Sequence, residues 1–341
     1  MTTGFTERVR GSLLGGAVGD ALGWPVEFQR LDLIRERFGP AGVTGLNGSE
    51  VTDDTQMTLF TAEGLLRGGT AAAVKAAYQR WLLTQRLSGP EREPDGWLLG
   101  LPFLYASRAP GNACLSGLIE WPRHEPAAPF GQEGPINPHS KGCGTVMRSA
   151  PFGLLRLGPQ RAFELAAECA QLTHGHPTGY LAAGAFAALL DRVAAGTPLR
   201  EAVTLTIEQT AGYPRGGETV RALERAGRIA DEGPGTAEAV ERVGLGWIAE
   251  ECLAVAVYAA LAGADARGAL LLSVNHSGDS DSTGAVCGNL VGAVYGEAAL
   301  PAGWTGAVEG RETVLQVADD LAAVAAGADP ADLDGRYPAW V

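Results

Sequence analysis

The sequence predicts an all-α protein, one large helical domain over residues 1–341, and three observations predict it. Apolar residues recur at helical spacing, as at Met57, Phe60, Thr61, Gly64 and Leu65, and again at Val286, Leu290 and Val294. Alternating runs of β-branched residues are nearly absent. Small residues abound, with 48 glycines in 341 positions and many alanines, so helices can approach one another closely. A hydrophobic fraction of 46% excludes disorder.

The first predicted helix carries Gly11, Gly15, Gly19 and Gly23 at successive i+4 positions, a glycine ridge on one face. Each interior glycine costs roughly 1 kcal/mol against alanine, so close helix packing or a ligand against the backbone must offset about 4 kcal/mol. Pro25 ends this helix and Glu27 follows it, while Asp20 is a carboxylate in an otherwise apolar run that packing does not explain. Next comes Thr52-Asp53-Asp54-Thr55, directly before the Met57 pattern, where Asp53 with Gln56 matches a capping box. Residues 88–151 hold ten of the twenty prolines and are expected to form long loops with short helices over the core.

Within that stretch, Lys141-Gly142-Cys143-Gly144-Thr145 leads into Val146-Met147-Arg148. Small residues before a helix leave backbone N–H groups for a phosphate, and Lys141 and Arg148 are close in sequence. The pattern is neither a Walker A loop nor G-x-G-x-x-G. No feature sets a base beside Cys143, so it is not read as a nucleophile. Thr173-His174-Gly175-His176-Pro177 reads as an interhelical loop in which His174 takes a hydrogen-bonding or stacking role in a pocket. Finally, Asp279-Ser280-Asp281-Ser282-Thr283 precedes the last strongly periodic segment, where Asp281 suits capping of a helix starting near Thr283. The tail after about residue 330 is expected to be a loosely docked extension.

Each acidic cluster taken singly suits a helix cap. A cap needs one side chain, however, and each cluster offers two carboxylates among hydroxyls. Two unit charges about 4 Å apart repel by about 4 kcal/mol at an effective dielectric of 20, so a counter-ion is expected. Carboxylates with hydroxyls make an all-oxygen set suited to Mg²⁺, Mn²⁺ or Ca²⁺ and ill-suited to zinc.

The net charge of −13 disfavours general binding to nucleic acid or to anionic membrane surfaces. No apolar run has the length of a membrane span. Arg8 and Arg10 before Leu13 and Leu14 imitate a signal peptide, but Asp20 interrupts the run. Five widely spaced cysteines without a C-x-x-C pair argue for reduced thiols and a cytoplasmic location. A monomer is the default expectation.

Five segments in order, GSLLGGAVGDALGWPVEF (11–28), VTDDTQMTLFTAEGLL (51–66), KGCGTVMRSAPF (141–152), THGHPTGYLAAGA (173–185) and NHSGDSDSTGAVCGNLVGAVYG (275–296), together resemble the ADP-ribosylglycohydrolase family over nearly the whole chain. The resemblance implies an orthogonal all-α bundle with two divalent cations, Mg²⁺ or Mn²⁺, in a cleft for ADP-ribose. By matched positions it implies Thr52, Asp53, Asp54, Asp279, Asp281 and Ser282 as metal ligands. Ser282 stands where relatives often carry threonine. The resemblance further implies catalytic roles for Glu27 and Asp281. Substrate contacts would come from Lys141, Gly142, Cys143, Gly144, Thr145, Arg148 and His174. The implied reaction is hydrolysis of the bond from ADP-ribose to an acceptor, which is a protein side chain, a nucleobase or a small molecule. Relatives that cleave ADP-ribosyl-arginine carry a Phe-Asp-Ile-Gly-like segment; here the region reads Asp95-Gly96-Trp97, which leaves the acceptor and the role of Asp95 open. A two-metal phosphohydrolase acting on a nucleotide pyrophosphate, or a non-catalytic ADP-ribose-binding relative, are the alternatives.

Overall fold

A computed structural model describes residues 3–333 and 335–338. The first half contributes α1 (Phe5–Gly23), α2 (Leu31–Phe38), α3 (Asp53–Arg67), α4 (Ala71–Thr84), α5 (Asn112–Ile119), α6 (Pro159–Ala170) and α7 (Pro177–Ala194). The second contributes α8 (Leu199–Ala211), α9 (Gly217–Ala230), α10 (Ala237–Val243), α11 (Ala249–Ala262) and α12 (Ala266–Val274). It closes with α13 (Ser280–Tyr295), α14 (Ala302–Thr305) and α15 (Arg311–Ala325). No β-strand occurs among the described residues; an isolated antiparallel bridge joins Gly142 to Ile248. The expected all-α class is the observed one. None of these helices is long and apolar enough to cross a membrane.

The glycine ridge is a helix-packing device. α1 runs antiparallel to α13, and the ridge meets a second one, Gly284, Gly288 and Gly292, also spaced i+4. A Cβ placed at Gly15 would lie 2.3 Å from the Gly288 carbonyl oxygen, and one at Gly288 would lie 1.9 Å from the Gly15 oxygen. Backbones this close exchange Cα–H···O contacts and dispersion along both helices, which offsets the poor helix propensity of glycine. At the end of the ridge, Gly23 abuts the Ser280 carbonyl. The C-terminus of α1, and hence Glu27, is thereby held against the N-terminus of α13.

Asp20 supplies the next constraint. Buried on α1, its carboxylate accepts hydrogen bonds from the backbone N–H of Thr52 (2.9 Å) and Thr55 (3.1 Å) and from the Thr55 hydroxyl (2.5 Å). These are donors at the start of α3 that the helix cannot satisfy itself. A carboxylate there also suits the helix dipole. Asp20 therefore pins α3 to α1.

The capping assignments shift by one or two residues. Thr52, not Asp53, is the N-cap of α3, accepting from the Asp54 N–H at 3.3 Å. Gln56 turns away to bond Ala106, Trp81 and Gln85. α13 begins at Ser280 with Asp279 at the cap position, so Asp281 lies inside the first turn instead of capping a later start.

Between α4 and α6 the proline-rich stretch holds α5 and short 3₁₀ turns joined by loops, as expected. The expected loose tail is instead anchored. Tyr337 is buried and donates to Asp320 at 2.8 Å, Arg336 pairs with the same carboxylate, and the Pro338 carbonyl accepts from Arg67. The hydrophobic core runs without a break from Val9 to Tyr337.

Candidate active site

Where the C-terminus of α1 meets the N-termini of α3 and α13, a cleft of about 360 Å³ opens. Glu27, Asp53, Asp54, Asp279, Asp281 and Ser282 line one part of it; Gly142, Cys143, Gly144 and His174 line another. Two stretches remote in sequence, the acidic clusters at the starts of α3 and α13, thus face a common space. Carboxylate oxygens of Glu27, Asp279 and Asp281 all lie within 4.8 Å of one another, an arrangement that can hold a divalent cation.

The electrostatics test that fit. Burial, and then the neighbouring Asp281 charge, push Asp53 and Asp54 well above the usual carboxylate range. Burial and Asp281 raise Asp20 to about 7, and burial with Asp281, Asp279 and Asp53 raises Glu27 to about 10. Five cleft carboxylates cannot all ionise side by side without positive charge among them. Two buried oxygens in the cluster, Glu27 Oε2 and Asp54 Oδ1, have no hydrogen-bond partner, although such atoms are ordinarily satisfied. Unpartnered oxygens of an all-oxygen donor set are what a hard cation requires, so the residues present fit one.

The other candidates fall in two groups. Ser282 Oγ faces the sulfurs of Cys143 (3.6 Å) and Met147 (3.8 Å). Thr52 does not line the cleft; its hydroxyl donates to Asp54 Oδ2 at 3.2 Å and orients that side chain from behind. The Cys143 thiol donates to Asp279 Oδ2 at 2.8 Å, and burial followed by that carboxylate raises it well above the ordinary thiol value. It therefore stays protonated.

Lys141, Thr145 and Arg148 do not line the cleft, contrary to the sequence expectation. Lys141 Nζ is held between Glu218 and Glu250, so its charge is already balanced. The Thr145 hydroxyl donates to the Gly179 carbonyl at 2.8 Å. Arg148 is buried over the Tyr78 ring and reaches Thr173. Sequence proximity to the glycine turn is a poor guide here, because successive side chains of a tight turn diverge. Asp95 is also outside the cleft, in an ion cluster with Arg67 (3.0 Å), Arg80 (3.5 Å) and the buried Glu63.

The cleft also has lining that sequence reasoning missed. Phe28 and Trp247 stack at its edge, with ring centroids 5.6 Å apart and planes inclined by 21°, and both are substantially exposed. The Trp247 segment is strapped to the glycine turn by Cys143 N–H to Trp247 O (3.2 Å) and Ala249 N–H to Lys141 O (2.9 Å). Gly111 N–H donates to Asp53 Oδ2 at 3.2 Å, bringing residues 109–113 into the wall. The only local signal was an aromatic residue following Glu27 and another following the Gly244-Leu245-Gly246 turn.

A family model described as ADP-ribosylglycohydrolase matches residues 1–331. An uncharacterized protein of Archaeoglobus fulgidus is 29% identical over 329 residues, covering 92% of this chain and 96% of its own. The ADP-ribosyl-[dinitrogen reductase] glycohydrolase of Rhodospirillum rubrum is 27% identical, with 87% and 89% covered. The ADP-ribosylarginine hydrolase Tri1 of Pseudomonas putida is 26% identical, with 92% and 78% covered. A solved structure, an ADP-ribosylglycohydrolase-related protein complex, superposes with a TM-score of 0.69 at 28% identity, covering 94% of this chain and 99% of that one.

Proposed function

The chain belongs to the ADP-ribosylglycohydrolase family, and from that membership we propose that it is a metal-dependent hydrolase of the glycosidic bond between ADP-ribose and an acceptor. The observation that carries the reading is the acidic cluster of Glu27, Asp279 and Asp281, with Asp53 and Asp54 on the same cleft as Gly142–Gly144 and His174. The names of the Rhodospirillum and Pseudomonas relatives support the same bond type.

Two cations, Mg²⁺ or Mn²⁺, would be held by Asp53, Asp54, Asp279, Asp281 and Ser282 with Thr52 behind them; they would polarise ribose hydroxyls and offset developing charge. The residues of the chain do the rest. Glu27, beside the cluster, would hand a proton to the departing acceptor atom as the bond to C1″ breaks. Water adds at C1″ and its proton returns to Glu27, so the carboxyl ends as it began. Asp281 would orient the ribose from the first turn of α13. Backbone around Gly142, Cys143 and Gly144 would hold the remainder of the ligand, and His174 would contact it.

Product analysis tests this reading. Incubating the chain with ADP-ribosylated arginine, serine, nucleobase and small-molecule acceptors, with Mg²⁺, Mn²⁺ or chelator, is expected to release intact ADP-ribose in the metal arms. Release of AMP would indicate a pyrophosphohydrolase, and ADP-ribose binding without turnover on any acceptor would indicate a non-catalytic relative. Either result overturns the proposal.

A further inference from the structure

Among the described residues no lysine or arginine lines the cleft, yet a buried arginine lies behind its wall. Arg148 is 1% exposed and has no carboxylate partner among the described residues. Its guanidinium lies 4.4 Å from the Tyr78 ring centroid, and Nη1 approaches Cys114 Sγ at 3.4 Å and Met57 Sδ at 3.8 Å. Its short polar contact is Nη2 to Thr173 Oγ1 at 2.6 Å. A buried cation without a counter-charge is costly, and packing alone does not account for it.

Donor and acceptor bookkeeping gives this arginine a consequence. A guanidinium only donates, so Thr173 Oγ1 accepts from Arg148. The hydroxyl proton is then free for the next atom along, His174 Nδ1, at 2.8 Å. With Nδ1 accepting, the ring proton of neutral His174 sits on Nε2. The reverse tautomer would aim two donors at Thr173 Oγ1 and leave its buried hydroxyl proton without an acceptor. Burial, reinforced by Arg148, lowers His174 to about 3, so the ring is neutral at ordinary pH. Nε2 makes no bond within the described chain, and it sits beside the two glycines of the turn: a Cβ at Gly142 would lie 3.4 Å from it, and one at Gly144 3.5 Å. Side chains there would crowd this edge of the ring.

We propose that Arg148 and Thr173 are positioning residues that hold His174 as its Nε2–H tautomer and present that donor, between Gly142 and Gly144, to an acceptor oxygen of ADP-ribose. The proposal deepens, and rests on, the reading of the cleft as an ADP-ribose site. The chain of bonds running from a buried cation polarises each successive donor. It gives an acidic cleft a fixed donor for an anionic ligand without setting a mobile cation beside the carboxylates.

Nitrogen-15 NMR of the histidine rings in the full chain reads the tautomer, and calorimetric titration with ADP-ribose, in the presence of Mg²⁺, reads the consequence. Wild type is expected to show His174 protonated on Nε2 alone. Thr173→Val, which keeps the shape and removes the hydroxyl, is expected to mix the tautomers and weaken ADP-ribose binding about tenfold. Thr173→Ser is expected to restore both. A wild-type ring protonated on Nδ1 overturns the relay while leaving ADP-ribose binding intact, as does a Thr173→Val variant with wild-type tautomer and affinity. A wild type with the stated tautomer that does not bind ADP-ribose overturns the reading of the cleft, and with it the ligand named here.

Discussion

Gly19 and Gly284 pass so closely that a Cβ on residue 19 would lie 1.9 Å from the Gly284 carbonyl oxygen, in the helix pair that brings Glu27 to Asp279 and Asp281. The clash is with backbone, so no rotamer change relieves it. Gly19→Ala is expected to destabilise the chain by about 2–3 kcal/mol, because overpacking outweighs the roughly 1 kcal/mol of helix propensity gained. Thermal and urea denaturation check this. Gly227→Ala on α9, where nothing lies within 4 Å of the added Cβ, serves as the control and should gain slightly.

Asp20 receives three donors from the start of α3. Asp20→Ala leaves those buried donors unpaired, at about 1–3 kcal/mol, and releases Asp53 and Asp54 from their place beside α1. Lower stability together with weaker Mn²⁺ binding is expected. Unchanged Mn²⁺ affinity by calorimetry would show that Asp20 does not organise the cluster.

Mg²⁺ or Mn²⁺ should raise the melting temperature of wild type, since a ligand that binds only the folded state at about 100 times its Kd adds about 2.7 kcal/mol. Asp281→Ala is expected to lose both this shift and metal-dependent turnover while keeping its helical circular dichroism. Full turnover in that variant would reject the assignment of Asp281.

Lys141 tests whether charge near the glycine turn serves the ligand or the fold. With Nζ held by Glu218 and Glu250, Lys141→Met strands the largely buried Glu250. The expected result is a stability loss of about 1–3 kcal/mol with ADP-ribose affinity within about twofold of wild type. A tenfold rise in Kd at unchanged stability would restore Lys141 to the ligand site.

His174 makes a pH prediction with a defined sign. Its value falls from an ordinary 6.5 to about 3, chiefly through burial. The unfolded chain therefore takes up a proton below pH 6.5 that the folded chain refuses until about pH 3. The contribution is fully present above the ordinary value and is lost as pH falls towards the depressed one. Between those limits, wild-type stability should fall more steeply than that of His174→Gln, by about 1.4 kcal/mol per pH unit. Parallel urea-denaturation series at several pH values measure the difference.

Local chemistry made much of this protein legible in its sequence. Helical periodicity announced the all-α class, and the cost of the i+4 glycines announced either a close helix contact or a ligand against the backbone. The two acidic clusters stood out because like charges do not sit together without a reason. Only the tertiary structure decided which atoms share a space. It paired Gly15 with Gly288, put Asp20 on Thr52 and Thr55, and faced Asp53 towards the Asp281 charge. It also kept Lys141 and Arg148 out of the cleft lining, although they flank the glycine turn in sequence. The reason is physical: periodicity and capping depend on neighbours three or four residues away, whereas the direction of a side chain and its hydrogen-bond partner depend on whatever distant helix has packed against it.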